Sequence, residues 1–300
     1  MIIDALNRVS NKDNFLNLTD YFSFATYFLD YVENHKQATI VSQNENVYNF
    51  FQYDQTADFQ ITRPFNSRIL YSSEELQENS PIFLQALNDL RKYREGADIQ
   101  NREVINRTVY TLQQAIGFAL DALPAGKSNN ARKLNGDYFE SLILLLLQSL
   151  ELNVDHGTLK VPVTFDGEEL FKMKYQQDLI VRDSEGEINL IGSVKTTSKD
   201  RITKIFTDKF LYSKLTETAV PHIAIFLHDV QRANSKSPQK YKVNSTFLTN
   251  HFKGLTVKLN PLDGVYYFDP RPNMQSDVFL SERIQTFDHL LCEDIWEFIN

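Results

Sequence analysis

Apolar residues in the first part of the chain recur with the spacing of a helix face. Phe22, Phe24, Tyr27, Phe28 and Tyr31 form one stripe, and residues 105–123 carry another. Between them, over residues 43–72, the pattern is irregular and predicts short strands, one of them at 59–62. A cluster of turn formers follows, Leu123-Pro124-Ala125-Gly126-Lys127-Ser128-Asn129-Asn130, and marks a junction.

Beyond Asn135 the pattern sharpens. Residues 136–152 are apolar around most of a helical circumference, which predicts a largely buried helix. Alternation predicts strands at 158–164 and 173–181, a turn at Asp183-Ser184-Glu185-Gly186 and a returning strand at 188–195. A helical pattern covers 200–215, a wholly apolar strand 223–227, and further strands are expected at 257–259 and 265–268 before a final helix at 287–299. Helix, three strands, helix and strand in that order predict an α/β sandwich around a mixed sheet. Two regions are expected: a mainly helical N-terminal region over 1–130 and a second domain over 131–300.

Composition narrows the class. The chain has 300 residues, 42% of them hydrophobic and 23% charged, as in an ordinary globular protein. Its 22 Phe and 14 Tyr are expected mostly in the core. A net charge of −8 argues against a sequence-indifferent DNA coat, yet leaves room for a protein that meets nucleic acid through a local basic surface. The single cysteine, Cys292, excludes a disulfide framework and a cysteine-based zinc site. The N-terminal residues do not read as a secretory leader, and the most apolar run, 142–147, is far short of the ~20 residues that span a bilayer. A cytoplasmic protein with no membrane partner is expected.

The chemistry gathers in the hairpin. Asp178 opens the apolar run Leu179-Ile180-Val181, and Lys195 ends the adjacent strand after Gly192-Ser193-Val194. Ser193 and Lys195, two apart, project from one face, and hairpin pairing brings Asp178 alongside. A carboxylate beside an ammonium suits metal-assisted phosphodiester hydrolysis, with Asp178 on Mg²⁺ and Lys195 positioning the attacking water. The same two residues also fit a plain ion pair at a strand end.

Asp178 followed by a hairpin and Ser193-x-Lys195 resembles the PD-(D/E)xK nuclease motif in its S-x-K variant, as found in type II restriction endonucleases of the CCGG-cutting, BsaWI-like group. Gly136-Asp137-Tyr138-Phe139-Glu140 resembles the G-x-x-F-E helix start of such enzymes, whose Glu reaches the active site. Lys195-Thr196-Thr197-Ser198-Lys199-Asp200-Arg201 resembles their K-T-x-x-basic-D-R run. The resemblance covers residues 136–210. Gln177 stands where Pro is usual, and Ser193 stands where an acid is usual. In S-x-K relatives a carboxylate of the next helix replaces that acid; here the window holds Asp208, 13 residues after Lys195. The resemblance implies a PD-(D/E)xK restriction-endonuclease-like core, with 131–300 as catalytic domain and 1–130 serving dimerisation or DNA clamping. It implies Mg²⁺ on Asp178 and on Glu140 (first choice) or Asp208, with the Val194 carbonyl as an extra ligand. It further implies cleavage of double-stranded DNA to 5′-phosphate and 3′-hydroxyl ends, a homodimer on a palindromic site, and a cognate DNA methyltransferase as functional partner. The alternatives are a structure-specific repair or recombination nuclease of the same fold, or a DNA-binding module that does not cleave.

Around this site, residues 193–214 carry Lys195, Lys199, Arg201, Lys204, Lys209 and Lys214 against Asp200 and Asp208, a local basic excess in an acidic chain. Lys199, Arg201 and Lys204 are the expected phosphate contacts. In the polar stretch 231–253, Arg232, Asn234, Lys236, Lys240 and Lys242 are candidates for base contacts, with Arg271 a further case. Gly126-Lys127-Ser128 lacks the upstream glycine of a phosphate-binding loop, since position 121 is Asp. His222, His228 and His251 lack metal-site spacing.

Overall fold

The helical periodicity of the first part is realised as α1 (Ile2–Ser10) and α2 (Leu18–His35). A small antiparallel sheet follows, β1 (Ala38–Val41), β2 (Tyr48–Gln52) and β3 (Phe65–Asn66), and then α3 (Ser73–Tyr93) and α4 (Glu103–Asp121). The structure, a computed structural model, describes residues 2–35, 38–52, 61–123, 126–233 and 241–299. Of the strand expected at 59–62, residues 59 and 60 lie outside the described residues, while Ile61 forms a bridge to Gln52. From Val104 to Asp121 every residue of α4 except the half-buried Arg107 is buried, polar ones included, so this helix is covered over nearly its whole circumference. At Gly117 an added Cβ would stand 2.6 Å from the Arg63 guanidinium, which lies flat over the helix there.

The next helix, α5, spans Ser128–Ser149. It begins eight residues before the expected start at 136, so Gly136–Glu140 lies in its third and fourth turns and does not open it. The long hairpin is β4 (Asn153–Phe165) and β5 (Glu168–Arg182), and β6 (Ile188–Lys195) has the bounds that its alternation predicts. The turn before β6 is closed by Asp183, whose carboxylate accepts from the N–H groups of Glu185 and Glu187, with Gly186 at φ 91°. Helix α6 (Ile202–Thr216) leads to β7 (His222–His228), buried throughout. After β7 come β8 (Val230–Arg232) and β9 (Val243–Ser245), whose Val230 and Val243 pack with Tyr48, Phe50 and Ile61. Then follow α7 (Thr249–Lys258), β10 (Gly264–Asp269), α8 (Pro272–Ser276), α9 (Val278–Ser281) and β11 (Ile284–Thr286). The chain ends in α10 (Phe287–His289), a π-helical turn (Leu290–Asp294) and α11 (Ile295–Ile299). The strand expected at 257–259 is absent: Val257 and Lys258 close α7, whose Phe252 and Thr256 are four apart and share its buried side.

Two units divide the chain. Met1–Asp89, Ile99–Leu145 and Val230–Thr246 form the first, and Leu90–Asp98, Leu146–Asp229 and Phe247–Asn300 the second. The second contains the six-stranded sheet, in the order β11-β10-β7-β6-β5-β4. Strands β4, β5 and β6 form an antiparallel meander, whereas β6, β7, β10 and β11 run parallel. This is the mixed sheet that the order of elements predicts. One face is covered by α6, α7 and α9 through Ile205, Phe206, Phe252 and Leu280, packed on Ala224, Phe226 and Tyr267. The C-terminal helical stretch packs against the sheet as well: Tyr266 on β10 donates to Asp294 at 2.6 Å, and Phe268 stacks on Phe287. Among the described residues no helix is long and apolar enough to cross a membrane.

Candidate active site

A break in the regular ladder positions the site. On the β4 side of β5, Asp155 pairs with Ile180 and Gly157 with Gln177, so Asp178 and Leu179 together stand against His156. This is a β-bulge, which bends a strand and re-aims a side chain. It also shifts the alternation. Tyr175 shares a buried cluster with Ile191, Ile191 pairs with Ile180, and Asp178 is in phase with Ile180. Tyr175 and Asp178, three apart, thus face the same side. On the other edge of β5, pairing with β6 ends at Leu179–Gly192. One residue further the Asp178 carboxylate takes over as acceptor: Oδ2 receives the Val194 N–H at 2.9 Å.

Lys195 lies 2.6 Å from the same oxygen through its Nζ. Two donors thus converge on Oδ2, while Oδ1 takes part in neither bond. Both side chains retain some exposure, 13% for Asp178 and 28% for Lys195, so solvent reaches the pair. Along β6, backbone groups alternate in direction; Ile191 donates towards β7, to Pro221 O, and Val194 donates towards β5. In an extended strand the C=O of a residue points with its own N–H, so the Val194 carbonyl also faces Asp178. At Gly192 an added Cβ would stand 2.7 Å from Leu179 Cδ2, so a side chain there would have to displace Leu179.

A second carboxylate that the sequence did not single out holds the loop after Lys195. Asp229, fully buried, accepts from Ser198 N–H at 2.8 Å, from Ser198 Oγ at 2.6 Å and from the Tyr267 hydroxyl at 2.6 Å. Burial, reinforced by the Asp229 charge, raises Tyr267 well above the usual phenol value, so it remains a donor. The signal available in the sequence is a lone acid two residues after the wholly apolar run 223–227.

The other expected residues are placed as follows. Ser193 is half-buried and in register with Ala224 of β7. Glu140 is half-buried on α5, in the first unit. Asp208 pairs with Lys204 one helical turn away on α6, and its charge adds to burial in raising the Tyr175 pKa. Among the described residues no three His, Cys, Asp or Glu side chains cluster as a metal cage. Lys199 and Arg201 are exposed just before α6, and Lys204 is exposed on it. Lys209, counted above in the basic run, is instead buried, 2.7 Å from Asp263 and 2.5 Å from Pro261 O. Arg232 donates to Ile61 O at 2.8 Å, and Arg271 is buried. Asn234, Lys236 and Lys240 lie outside the described residues. His222 is buried against Tyr212, and desolvation lowers its pKa, so it stands neutral.

No model of a known protein family matches the sequence, and no curated protein matches it. Two solved structures resemble the chain. The restriction endonuclease PspGI, in complex with substrate DNA, is 12% identical and covers 74% of this chain and 93% of its own, with a TM-score of 0.42. The crystal structure of the Type IIP restriction endonuclease Kpn2I covers 99% of this chain and 98% of its own at a TM-score of 0.71, with 16% identity. At that identity and extent the likeness is one of fold, and the chain has the α/β restriction-endonuclease fold of Kpn2I.

Proposed function

We propose that this chain is a type II restriction endonuclease, hydrolysing double-stranded DNA at a short specific site with Mg²⁺ as cofactor. The observation that carries this reading is the convergence of Val194 N–H and Lys195 Nζ on one oxygen of Asp178, at the point where β5 parts from β6. The full-length likeness in fold to Kpn2I supports it.

The donors fit the ion. They are all oxygen, and Mg²⁺ is usually held by one or two carboxylates, with water and phosphate oxygens completing its shell. Asp178 and the Val194 carbonyl would hold it, with Glu140 as first choice and Asp208 as second for a further carboxylate. When bound, the ion supplies charge neutralisation at the phosphoryl group and an activated water. Lys195, exposed enough to meet solvent, orients that water and stabilises charge on the phosphate in the transition state. Asp229 acts one step removed, fixing Ser198 and through it the segment between Lys195 and α6. In-line displacement leaves 5′-phosphate and 3′-hydroxyl ends. A palindromic site would be met by a two-fold homodimer, and a methyltransferase of the same specificity would protect the host DNA.

Plasmid DNA incubated with the protein, with and without Mg²⁺, tests the reading. Discrete fragments that depend on the ion are expected. Structure-dependent nicking would assign the site to a repair nuclease, and intact plasmid under all conditions would sink the enzymatic reading.

A further inference from the structure

Strand β5 continues for eleven residues beyond its pairing with β6. From Glu168 to Gln177 it pairs with β4 and not with β6, so the hairpin leaves the sheet as a two-stranded ribbon beginning at the Asp178 bulge. Its two sides differ. Leu159, Val161, Met173 and Tyr175 form the inner side and pack with Leu211, Tyr212 and Leu215 of α6. The outer side carries Thr158, Lys160 and Pro162 on β4 opposite Gln176, Lys174 and Lys172 on β5, all exposed.

Lys160 and Lys174 are direct cross-strand partners, and Lys172 is the next outward residue on the same strand. Like charges placed opposite one another destabilise a ladder. Residues 157–164 and 171–177 contain no acid, and none of the three lysines forms an ion pair among the described residues. Beyond the base of the hairpin, where Asp155 and Asp178 lie, its acids are Asp166, Glu168 and Glu169, which sit at the turn past the Pro162–Lys172 pair. Charge is thus sorted along the ribbon, positive at the stem and negative at the tip. In a chain of net charge −8, an unneutralised three-lysine stripe beside the candidate site fits a polyanion.

We infer that the outer face of the ribbon stem, Lys160, Lys172 and Lys174, binds the phosphate backbone of duplex DNA. The inference rests on the proposed endonuclease function and adds to it a surface distinct from the loop and helix after Lys195. At ~3.3 Å per residue, Lys174 and Lys172 stand roughly 13 and 20 Å from Asp178 along the strand. Because Asp178 shares the inner side with Tyr175, the lysines stand on the opposite face of β5 and would hold a stretch of backbone away from the scissile phosphate. The contacts are to phosphate and carry no base information. The acidic tip fixes where the backbone crosses, at the stem.

The test is the salt dependence of binding of the full chain to a mixed-sequence DNA duplex, with EDTA present to prevent cleavage. Each phosphate contact contributes about 0.9 to the slope of log K against log salt concentration. The triple variant K160Q/K172Q/K174Q should flatten that slope by about 2 to 3 and weaken binding at low salt by more than about tenfold. Lys174→Glu separates binding from folding: it creates an opposite-charge cross-strand pair, so its thermal midpoint should equal or exceed that of the parent while its DNA affinity falls. A parent protein that binds and cleaves DNA, with a triple variant of unchanged slope, overturns the ribbon surface and leaves the nuclease reading intact. A parent that neither binds nor cleaves DNA overturns both.

Discussion

Asp121 and Asp178 each pair with a nearby base, yet the two pairs are built differently. In the first unit Asp121 Oδ2 receives the Arg63 backbone N–H at 2.6 Å and its Nε at 3.0 Å, while Oδ1 receives Nη2 at 3.0 Å. Every donor comes from one residue, both oxygens are used, and the side chains are 16% and 6% exposed. In the second unit both donors to Asp178 fall on Oδ2, and one of them is a flexible ammonium that solvent reaches. A planar guanidinium fork fills a carboxylate and locks it, whereas a lysine offers a point charge that can turn to another oxygen. The first pair is finished as a structural joint. In the second, Oδ1 of Asp178 takes part in neither bond, and the proposed function assigns it to a metal.

The sharpest way to break this comparison is to remove the base from each pair. Lys195→Ala should lower cleavage by about 10²–10³-fold or more, the cost of losing one charged transition-state donor, while the unfolding midpoint in denaturant stays close to the parent's. Combining it with Asp178→Asn should add little, since residues acting as a unit are not additive. Cleavage retained in Lys195→Ala would move the active site elsewhere. Arg63→Ala should do the reverse. It strands Asp121 in the interior at a cost of about 3–5 kcal/mol, read as a fall in urea midpoint at unchanged slope.

Why was one pair legible in the sequence and the other not? Asp178 and Lys195 lie on neighbouring strands joined by a short turn, so alternation and hairpin geometry were enough to bring them together. The bounds of β6 followed from the same alternation and from the Asp183–Gly186 turn. Arg63 and Asp121 are separated by α3 and α4, and no local pattern links them; in the sequence Asp121 stands out only as the position where a phosphate-binding loop needs glycine. The same limit hid Asp229, whose partners Ser198 and Tyr267 are 31 and 38 residues away. Asp208 stands in a local pattern instead. Its i,i+4 spacing from Lys204 is a local signal for a helix ion pair, and that pair forms. The short apolar run at 257–259 is ambiguous by period alone, and it sits at the end of a helix. The bulge at Asp178 left no trace in the sequence, because it is a mismatch between two strands.

A smaller effect sharpens the contrast at Gly117. The Arg63 fork lies close enough to α4 that a methyl group there must displace it. Gly117→Ala gains helix propensity of up to about 1 kcal/mol, yet overpacking against the guanidinium costs about 1–3 kcal/mol, so net destabilisation is expected. A variant as stable as the parent would show that the joint is looser than its hydrogen bonds imply.

The smallest effect is the most discriminating. Asp178→Asn keeps an oxygen in place to accept from Val194 N–H and from Lys195, and removes only the charge. Partly exposed ion pairs contribute about 0–1 kcal/mol, so the unfolding free energy should move by no more than that in either direction. Cleavage should nonetheless be lost, because an amide is a poor ligand for a hard cation compared with a carboxylate. Asp121→Asn, by the same reasoning, should be plainly destabilising, since it leaves the part-buried Arg63 without its counter-charge. If Asp178→Asn instead cost as much stability as Asp121→Asn, the pair on β5 and β6 would be a second structural joint. Its place at the bulge would then reflect sheet curvature alone.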